Sequence, residues 1–389
     1  MKKFFSLLMF VCMMFVVVFA SSSCGKEKDT IVIGFSGPLT GGAAVYGQAV
    51  QNSAKMAVDE INEKGGINGY KLSVIGLNDQ HDAKYVSTNY SSLLKKGMQV
   101  SLGCVTTKPC LEFCKLSNND HVFFLTPSAT GDDVTKYENA YQMCFADTRQ
   151  GTFTANYLNE NVEAQKIGIL YLSGDDYSEG IYNNFMAAID KTKFTDIKVA
   201  PFTEDEPTDL SSQVNILKDC TFIFMPIYYT PASTFMTQAK GTVSNDAVYF
   251  GCDGLDGIDT SIKGFDITKI PQEVSYLSHF NSKSDKAETV DFVSKYNEKY
   301  GVETLNQFGA SAYDCIYALY QALLKVEEAN PGKVNPNATP EELCKELIKV
   351  FQGGFTFNGV TGTNVTWDAD GYVNKAAGSY VVKEMDSKK

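Results

Sequence analysis

"TIVIGFSGPLTGGAAVYGQAVQNSAKMAVDEINEKGG", residues 30–66, sets the architecture. Its first seven residues form a β-branched apolar run, short enough for a buried strand. From Tyr46 the period changes: Ala49, Ala54, Met56, Ala57, Val58 and Ile61 supply the apolar side of an amphipathic helix, and Gly65 and Gly66 end it. A strand, a glycine-rich loop and a helix in that order predict the opening of a βαβ unit. The alternation continues with strand "YKLSVIGLND", helix "AKYVSTNYSSLLKKG", strand "VSLGCV", short helix "CLEFCKLS" and strand "HVFFLTPS". It restarts with helix "GTFTANYLNENV" and runs through strands "KIGILYLS", "IKVAPF", "TFIFMPIYY" and "AVYFGCDG", each separated from the next by a helical stretch. "EVSYLSHF" returns as a strand, followed by two long helices, a shorter one and a C-terminal strand cluster. The pattern predicts an α/β chain of two doubly wound parallel-sheet lobes, the second inserted in the first. Such sheets bind ligands beyond the carboxyl ends of their strands, so two facing lobes predict a cleft.

Composition narrows the function. The 389 residues are 44% hydrophobic and 21% charged, enough for two cores, and the formal charge is −12. There are 33 lysines and one arginine, Arg149. An acidic chain without a basic cluster argues against a nucleic-acid partner, because phosphate binding needs concentrated Lys/Arg. A bound anion would also lack the usual arginine fork and would fall to hydroxyls and backbone N–H groups.

Lys2 and Lys3, an apolar run from Phe4 to Ala20, and small residues leading to Cys24 have the layout of a secretory signal. Those 17 residues are shorter than the roughly 20 a spanning helix needs. With the polar "GKEKD" that follows, the segment resembles a bacterial lipoprotein signal over 1–23, which implies that Cys24 is lipidated and begins a tether over 24–29. Ser21 stands where that pattern usually has leucine. No later stretch is apolar enough to span a membrane, so the chain reads as an exported body on an N-terminal anchor. Eight cysteines follow Cys24, and export permits disulfides. Cys104, Cys110 and Cys114 lack the paired spacing of a zinc site, leaving buried thiols or a disulfide.

Catalytic machinery is thin. His81, His121 and His279 are the only histidines, none in HExxH or beside an evident nucleophile, and there is no GxSxG, Walker loop or GxGxxG after a strand. Asp147 has no second carboxylate paired with it by spacing. In "YFGCDGLDGIDT", residues 249–260, Asp253 leaves a buried strand between Gly251 and Gly254. The residues alone leave it as a turn former, a metal ligand or catalytic acid, or a fixed counter-charge for a cation.

The strand-end loops carry a resemblance. The opening stretch, then "LGCVTTKP", "FFLTPSATGDDVT", "SGDDYSEGI", "TDLSSQV", "MPIYYTPA" and "GCDGLDG" in that order, resemble the branched-chain amino-acid type of periplasmic binding protein, the ligand-capturing subunit of an ABC importer. The likeness runs from about residue 30 to the C-terminus. It implies the type I fold of that family: two Rossmann-like lobes joined by a three-strand hinge, with lobe I over 30–147 and 279–374 and lobe II over 148–278 and 375–389.

The resemblance also implies a site. Thr107 matches the position whose hydroxyl binds a ligand α-carboxylate at a helix N-terminus, where free N–H groups and the dipole favour an anion; a plain helix cap is the alternative. Ser128 and Thr130 match further carboxylate and amine contacts, against a simple turn after Pro127. Asp253 matches the acid that pairs with the ligand ammonium, in a setting expected to stay wet until ligand arrives. Tyr177 and Tyr228 or Tyr229 would face it from the second lobe, and Tyr46 and Phe308 match positions lining the ligand side chain. Asp209 and Ser211 suit helix capping. Arg149 departs from the aromatic residue often found there, near a lobe crossing. The implied function is capture of an amino acid by hinge closure, without cofactor or catalysis, by a monomer that docks on an ABC permease. A sensory ligand-binding subunit would use the same lobes, and an exported enzyme is the remaining rival.

Overall fold

The structure, a computed structural model, describes residues 30–161, 166–204, 208–375 and 378–383, the last of these as backbone only from 379 onward. The signal segment, Cys24 and the final six residues lie outside the described residues.

Two sheets organise the chain. The first has strand order β2-β1-β3-β4-β5, all parallel: β1 (Thr30–Gly37), β2 (Lys71–Asn78), β3 (Met98–Cys104), β4 (Phe124–Thr126) and β5 (Ala140–Gln142). Parallel neighbours need crossovers, and the chain supplies helices α1 (Ala44–Glu63), α2 (Val86–Lys95) and α3 (Thr107–Asn119). The second sheet has order β13-β10-β9-β8-β6-β7, from β6 (Lys166–Leu172), β7 (Asp196–Phe202), β8 (Phe222–Met225), β9 (Val248–Gly251), β10 (Glu273–Ser278) and β13 (Gly378–Lys383). Only β13 runs antiparallel, against β10. Helices α4 (Asp147–Asn161), α5 (Asp176–Ala188), α6 (Ser211–Leu217) and α7 (Tyr229–Gln238) belong to this half. After β10 come α8 (Ala287–Tyr300), α9 (Gln307–Ala329), α10 (Pro340–Gln352) and the small hairpin β11 (Phe357–Gly359) and β12 (Gly362–Val365).

These last helices return to the first sheet. Ile31, Ile33, Phe35, Val100 and Leu102 pack with Ala57 and Ile61 of α1 and Ile316, Leu319 and Leu323 of α9. The opposite face is closed by Tyr90, Leu93, Phe113 and Phe124. Burying each such Val, Ile, Leu or Phe side chain contributes about 1.5–3 kcal/mol, which is why apolar residues recur in the central strands without alternation. Gly309 lets α9 meet α1 closely: a Cβ there would lie 3.2 Å from Ala49 Cβ.

The chain therefore passes between the halves three times: after β5, after β10, and between Lys375 and β13. Polar groups tie the crossings. Arg149 Nη1, just past the first, donates to Val373 O at 2.5 Å, just before the third. Buried Lys375 donates through Nζ to Thr361 Oγ1, which donates to Asp314 of α9.

Several sequence expectations shift. The helix expected at "CLEFCKLS" begins earlier, at Thr107, and β5 was not anticipated, because three residues give no period to read. The strand expected through Tyr229 stops at Met225, and Tyr229 instead opens α7. The second half is not a simple insertion, since β13 completes its sheet from the C-terminus. All eight cysteines from Cys104 to Cys344 are buried free thiols, so the thiol reading of Cys110 and Cys114 holds over the disulfide.

Candidate functional site

Every loop of interest leaves the carboxyl end of a strand. The turn after β1 leads to Tyr46 on α1, the end of β3 leads to Thr106 and Thr107, and the end of β4 leads to Ser128 and Thr130. From the other sheet, β6 leads to Tyr177 on α5, β8 to Tyr228, and β9 to Asp253. Parallel topology thus brings six loops, far apart in sequence, to one cleft between the halves. A cavity there is lined by Tyr46, Thr107, Ser128, Thr130, Tyr177, Tyr228, Asp253 and Phe308. Of the residues expected at the site, Tyr229 alone does not line it; it packs edge-on against Tyr46, with ring centroids 5.2 Å apart. Val105, Thr106 and Gly254 complete the lining, and sequence reasoning had not named them as contacts.

The lobe I wall is a donor surface without a cation. Thr106 occupies the N-cap position of α3, yet its side chain does not cap. Its hydroxyl lies 2.9 Å from His81 Nδ1 instead. Pro109, third in the helix, has no N–H, so the end-of-helix donors left uncapped by any side chain are those of Thr107 and Lys108. The Thr107 hydroxyl accepts from Gly131 N at 3.2 Å, which leaves its own proton to donate. Donors of this kind suit an anion. The side-chain-cap alternative for Thr107 does not apply. Burial holds His81 below its ordinary pKa, so it adds no charge near neutrality.

The lobe II wall is acidic. Asp253 is 1% exposed, not the wet carboxylate expected from sequence. Its Oδ1 accepts from Tyr177 Oη at 2.7 Å, and its backbone N–H donates to Gln150 Oε1 at 3.0 Å. Its Oδ2 is buried without a partner. Burial pushes the carboxyl up to about 7, while the bonds to Tyr177 and Gln150 pull it down. Tyr177 Oη also accepts from Gly254 N at 2.9 Å, and its ring stacks on Tyr228 at 4.9 Å. A Cβ at Gly254 would sit 2.7 Å from that hydroxyl. The glycine beside Asp253 therefore makes room for Tyr177.

Asp147, unpaired by spacing, is brought close enough to raise the Asp253 problem further. Burial, then the neighbouring Asp253 charge, pushes Asp147 well above the ordinary carboxylate range. Gln150 Nε2 donates to Asp147 Oδ1 at 3.3 Å, so one amide connects both acids. Nothing in the "ADTRQG" segment marked Gln150, because its second partner, Asp253, comes from a distant loop.

The lobes are in contact across the cleft. Tyr46 Oη donates to Gly254 O at 2.5 Å, and Thr230 Oγ1 donates to Gly42 O at 2.9 Å. Phe308 meets Tyr46 edge-on at 5.1 Å. The cavity left between the walls is about 20 Å³, room for one water molecule.

Other expectations are resolved locally. Asp209 Oδ1 accepts from Ser211 N, which places the pair at a helix start, although Leu210 holds the cap position. Arg149 makes backbone contacts at the crossings. Among the described residues no group of three or more His, Cys, Asp or Glu is placed to hold a metal, and no helix is long and apolar enough to cross a membrane.

The chain is similar to known proteins in sequence and in fold. A Leu/Ile/Val-binding protein homolog of Brucella melitensis is 31% identical over 190 residues, covering 48% of this chain and 51% of that protein, so the match spans about half of that relative. A leucine-, isoleucine-, valine-, threonine- and alanine-binding protein of Pseudomonas aeruginosa is 25% identical over 80% of this chain and 83% of its own length. The crystal structure of the branched-chain amino acid transporter substrate binding protein LivJ of Streptococcus pneumoniae, in complex with isoleucine, superposes with a TM-score of 0.76. That match is 26% identical and covers 92% of this chain and 97% of that one. The periplasmic binding protein family profile matches residues 30–388, and the chain belongs to that family.

Proposed function

We propose that this protein captures an amino acid, a branched-chain one by its relatives, and delivers it to an ABC permease. The observation that carries the reading is the pairing of opposed walls: a buried carboxylate with an unpartnered oxygen at Asp253 faces hydroxyls and a helix N-terminus at Thr107. An α-amino acid presents one ammonium and one carboxylate on the same carbon. Thr107, the free α3 N–H groups, Ser128 and Thr130 hold the carboxylate. Asp253, backed by Tyr177, holds the ammonium. Tyr46, Tyr228 and Phe308 enclose the side chain, with Tyr229 supporting Tyr46.

The 20 Å³ cavity supports entry by lobe separation and retention by closure. Closure is favoured only by contacts made in the closed state, here Tyr46 to Gly254 and the ligand's bonds to both walls. We assign lobe I to 30–147 with 279–374 and lobe II to 148–278 with 375–389, moving about the three crossings. Export, lipid attachment through Cys24 and a monomeric state complete the proposal; they rest on the N-terminal sequence pattern and on the family.

The test is a thermal-shift screen of the protein, unfolded and refolded to strip carried-over ligand, against the amino acids and their amides. A raised midpoint with a few related amino acids is expected through linkage. A flat screen across all of them refutes the reading.

A further inference from the structure

A second cavity, about 250 Å³, lies behind the cleft, between the lobes. Its floor is Asp256, Tyr276, Phe280 and Gln307, all buried. Val293, Asn297 and Leu305 of the first lobe form its side, and Asp259 and Lys283 stand at its exposed rim. Asp256 and Tyr276 come from the second lobe and Gln307 from the first, so the cavity exists only while the lobes are together. Two bonds hold that arrangement: Asp256 Oδ2 accepts from Gln307 N at 2.8 Å, and Ser261 Oγ donates to Glu303 O at 2.9 Å.

The polar lining is biased toward acceptors. Asp256 receives only Tyr276 Oη and Gln307 N, and no lysine or arginine contacts it among the described residues. Asn297 Oδ1 is buried in the side wall with no donor. Asp259 adds a second carboxylate at the rim, where the charge of Lys283, the one cation of the lining, also acts on it; Asp256 on the floor is the carboxylate left to a ligand. Opposite these, Phe280, Val293 and Leu305 offer an apolar surface, continued at the mouth by Val302, which is 56% exposed. A ligand that fits carries several donors and positive charge on one end and hydrocarbon on the other.

The cavity also shares its wall with the amino-acid cleft. Asp256 lies three residues after Asp253, and Gln307 precedes Phe308. Asn306, which lines the cavity, donates through Nδ2 to Val45 O, next to Tyr46. We propose that this cavity is a second binding site, for a primary ammonium ion with a short hydrocarbon body, and that its occupancy favours the closed lobes. The second half rests on the hinge motion proposed above; the first does not.

The probe is n-pentylamine, titrated by calorimetry into the stripped wild type and into Asp253→Ala, which removes the cleft's ammonium partner. Saturable one-to-one binding in both chains is expected, with n-pentanol at least about tenfold weaker. Asp259→Asn, at the exposed rim, should weaken the amine about two- to fivefold without disturbing buried bonds, and Leu305→Trp should block it. Solution scattering should show a smaller radius of gyration with amine than without. Binding that vanishes in Asp253→Ala places the amine in the cleft and overturns the site. So does an absence of saturable binding in wild type, or equal binding of the alcohol. An unchanged or larger radius on saturation overturns the coupling to closure. None of these readouts uses an amino acid, so a flat amino-acid screen and a failed second site are separate results.

Discussion

Replacing Asp253 by asparagine keeps the side-chain shape and the bond from Tyr177 while removing the one charge the cleft can offer an ammonium group. The effect has two measurable parts. In the unliganded protein burial holds this carboxyl at about 7, and an ammonium ligand binds the ionised form. Below pH 7 binding must therefore expel a proton, and wild-type affinity falls about tenfold per pH unit, reaching about 100-fold by pH 5. Above pH 7 it levels off. Asp147 is also pushed well above the ordinary carboxylate range, by burial and by the neighbouring Asp253 charge. On the plateau, near pH 8, losing a desolvated charge pair costs about 2–5 kcal/mol, or about 30- to 5,000-fold in affinity. Asparagine cannot titrate, so its curve should be flat where the wild type slopes. The two proteins should thus converge toward pH 5. Calorimetric titration of the best amino acid at four pH values from about 5 to 8 reads both effects. Any slope left in Asp253→Asn belongs to Asp175, held at about 6 near Tyr228, or to His81. A wild-type affinity independent of pH, or an asparagine variant within threefold of wild type at pH 8, refutes the assignment of Asp253 as the ammonium partner.

Three further outcomes follow from single contacts. Gly254→Ala puts a methyl group 2.7 Å from Tyr177 Oη, so the hydroxyl must leave Asp253; affinity should drop about tenfold while Gly42→Ala, whose nearest neighbour would be 3.9 Å away, changes little. Thr107→Val keeps the shape but removes the hydroxyl, and loss of a hydrogen bond to a charged group, about 1.5–3 kcal/mol, should weaken amino-acid binding about 10- to 150-fold with no change in the midpoint of the unliganded protein beyond a few degrees. Unliganded stability should fall as pH rises from about 4 to 7: burial raises Asp253 to about 7 and Asp79, Asp175 and Asp256 to about 6. The folded state then holds more protons than the unfolded one in that window, and each acid contributes a slope of about −1.4 kcal/mol per pH unit. Urea midpoints that rise across the same range would contradict those burials.

How far the site could be read ahead depends on where each residue's partner lies. Tyr46, Thr107, Ser128, Thr130 and Asp253 sit in the loops, or the first helical turns, that follow apolar strands, and a parallel sheet sends all such segments to one edge, so position along the chain implied position in space. Tyr229 failed by one residue. The apolar run "TFIFMPIYY" has no internal break in period, but Pro226 cannot donate to a ladder, the strand stops at Met225, and Tyr228 rather than Tyr229 faces the cleft. Gln150 and Asp147 could not be found from spacing because what defines them is an amide bridging two acids 106 residues apart, a contact that exists only once the second sheet is built. The burial of Asp253 was missed for a related reason. Glycines on either side suggested an open loop, yet Gly254 is occupied by the approach of Tyr177.

The two walls differ in how they carry charge, and that difference bears on selectivity. The lobe I wall is fixed: helix N–H groups and hydroxyls keep the same partial positive potential at every pH near neutrality. The lobe II wall is conditional, because burial holds Asp253, its second oxygen unpartnered, at about 7, so that near and below neutrality a cation must displace its proton. A ligand with a carboxylate but no ammonium would find the first wall ready, but would bring its own charge toward an acid that must then stay neutral. A ligand with an ammonium but no carboxylate would ionise Asp253 while leaving the α3 donors buried and unanswered, at about 1–3 kcal/mol for each such group. Only a molecule with both groups on one carbon lets the proton leave and the donors pair in the same closed state. In the proposed binding mode, selection for the zwitterion therefore needs no arginine, and it resides in the opposition of the walls rather than in any one residue.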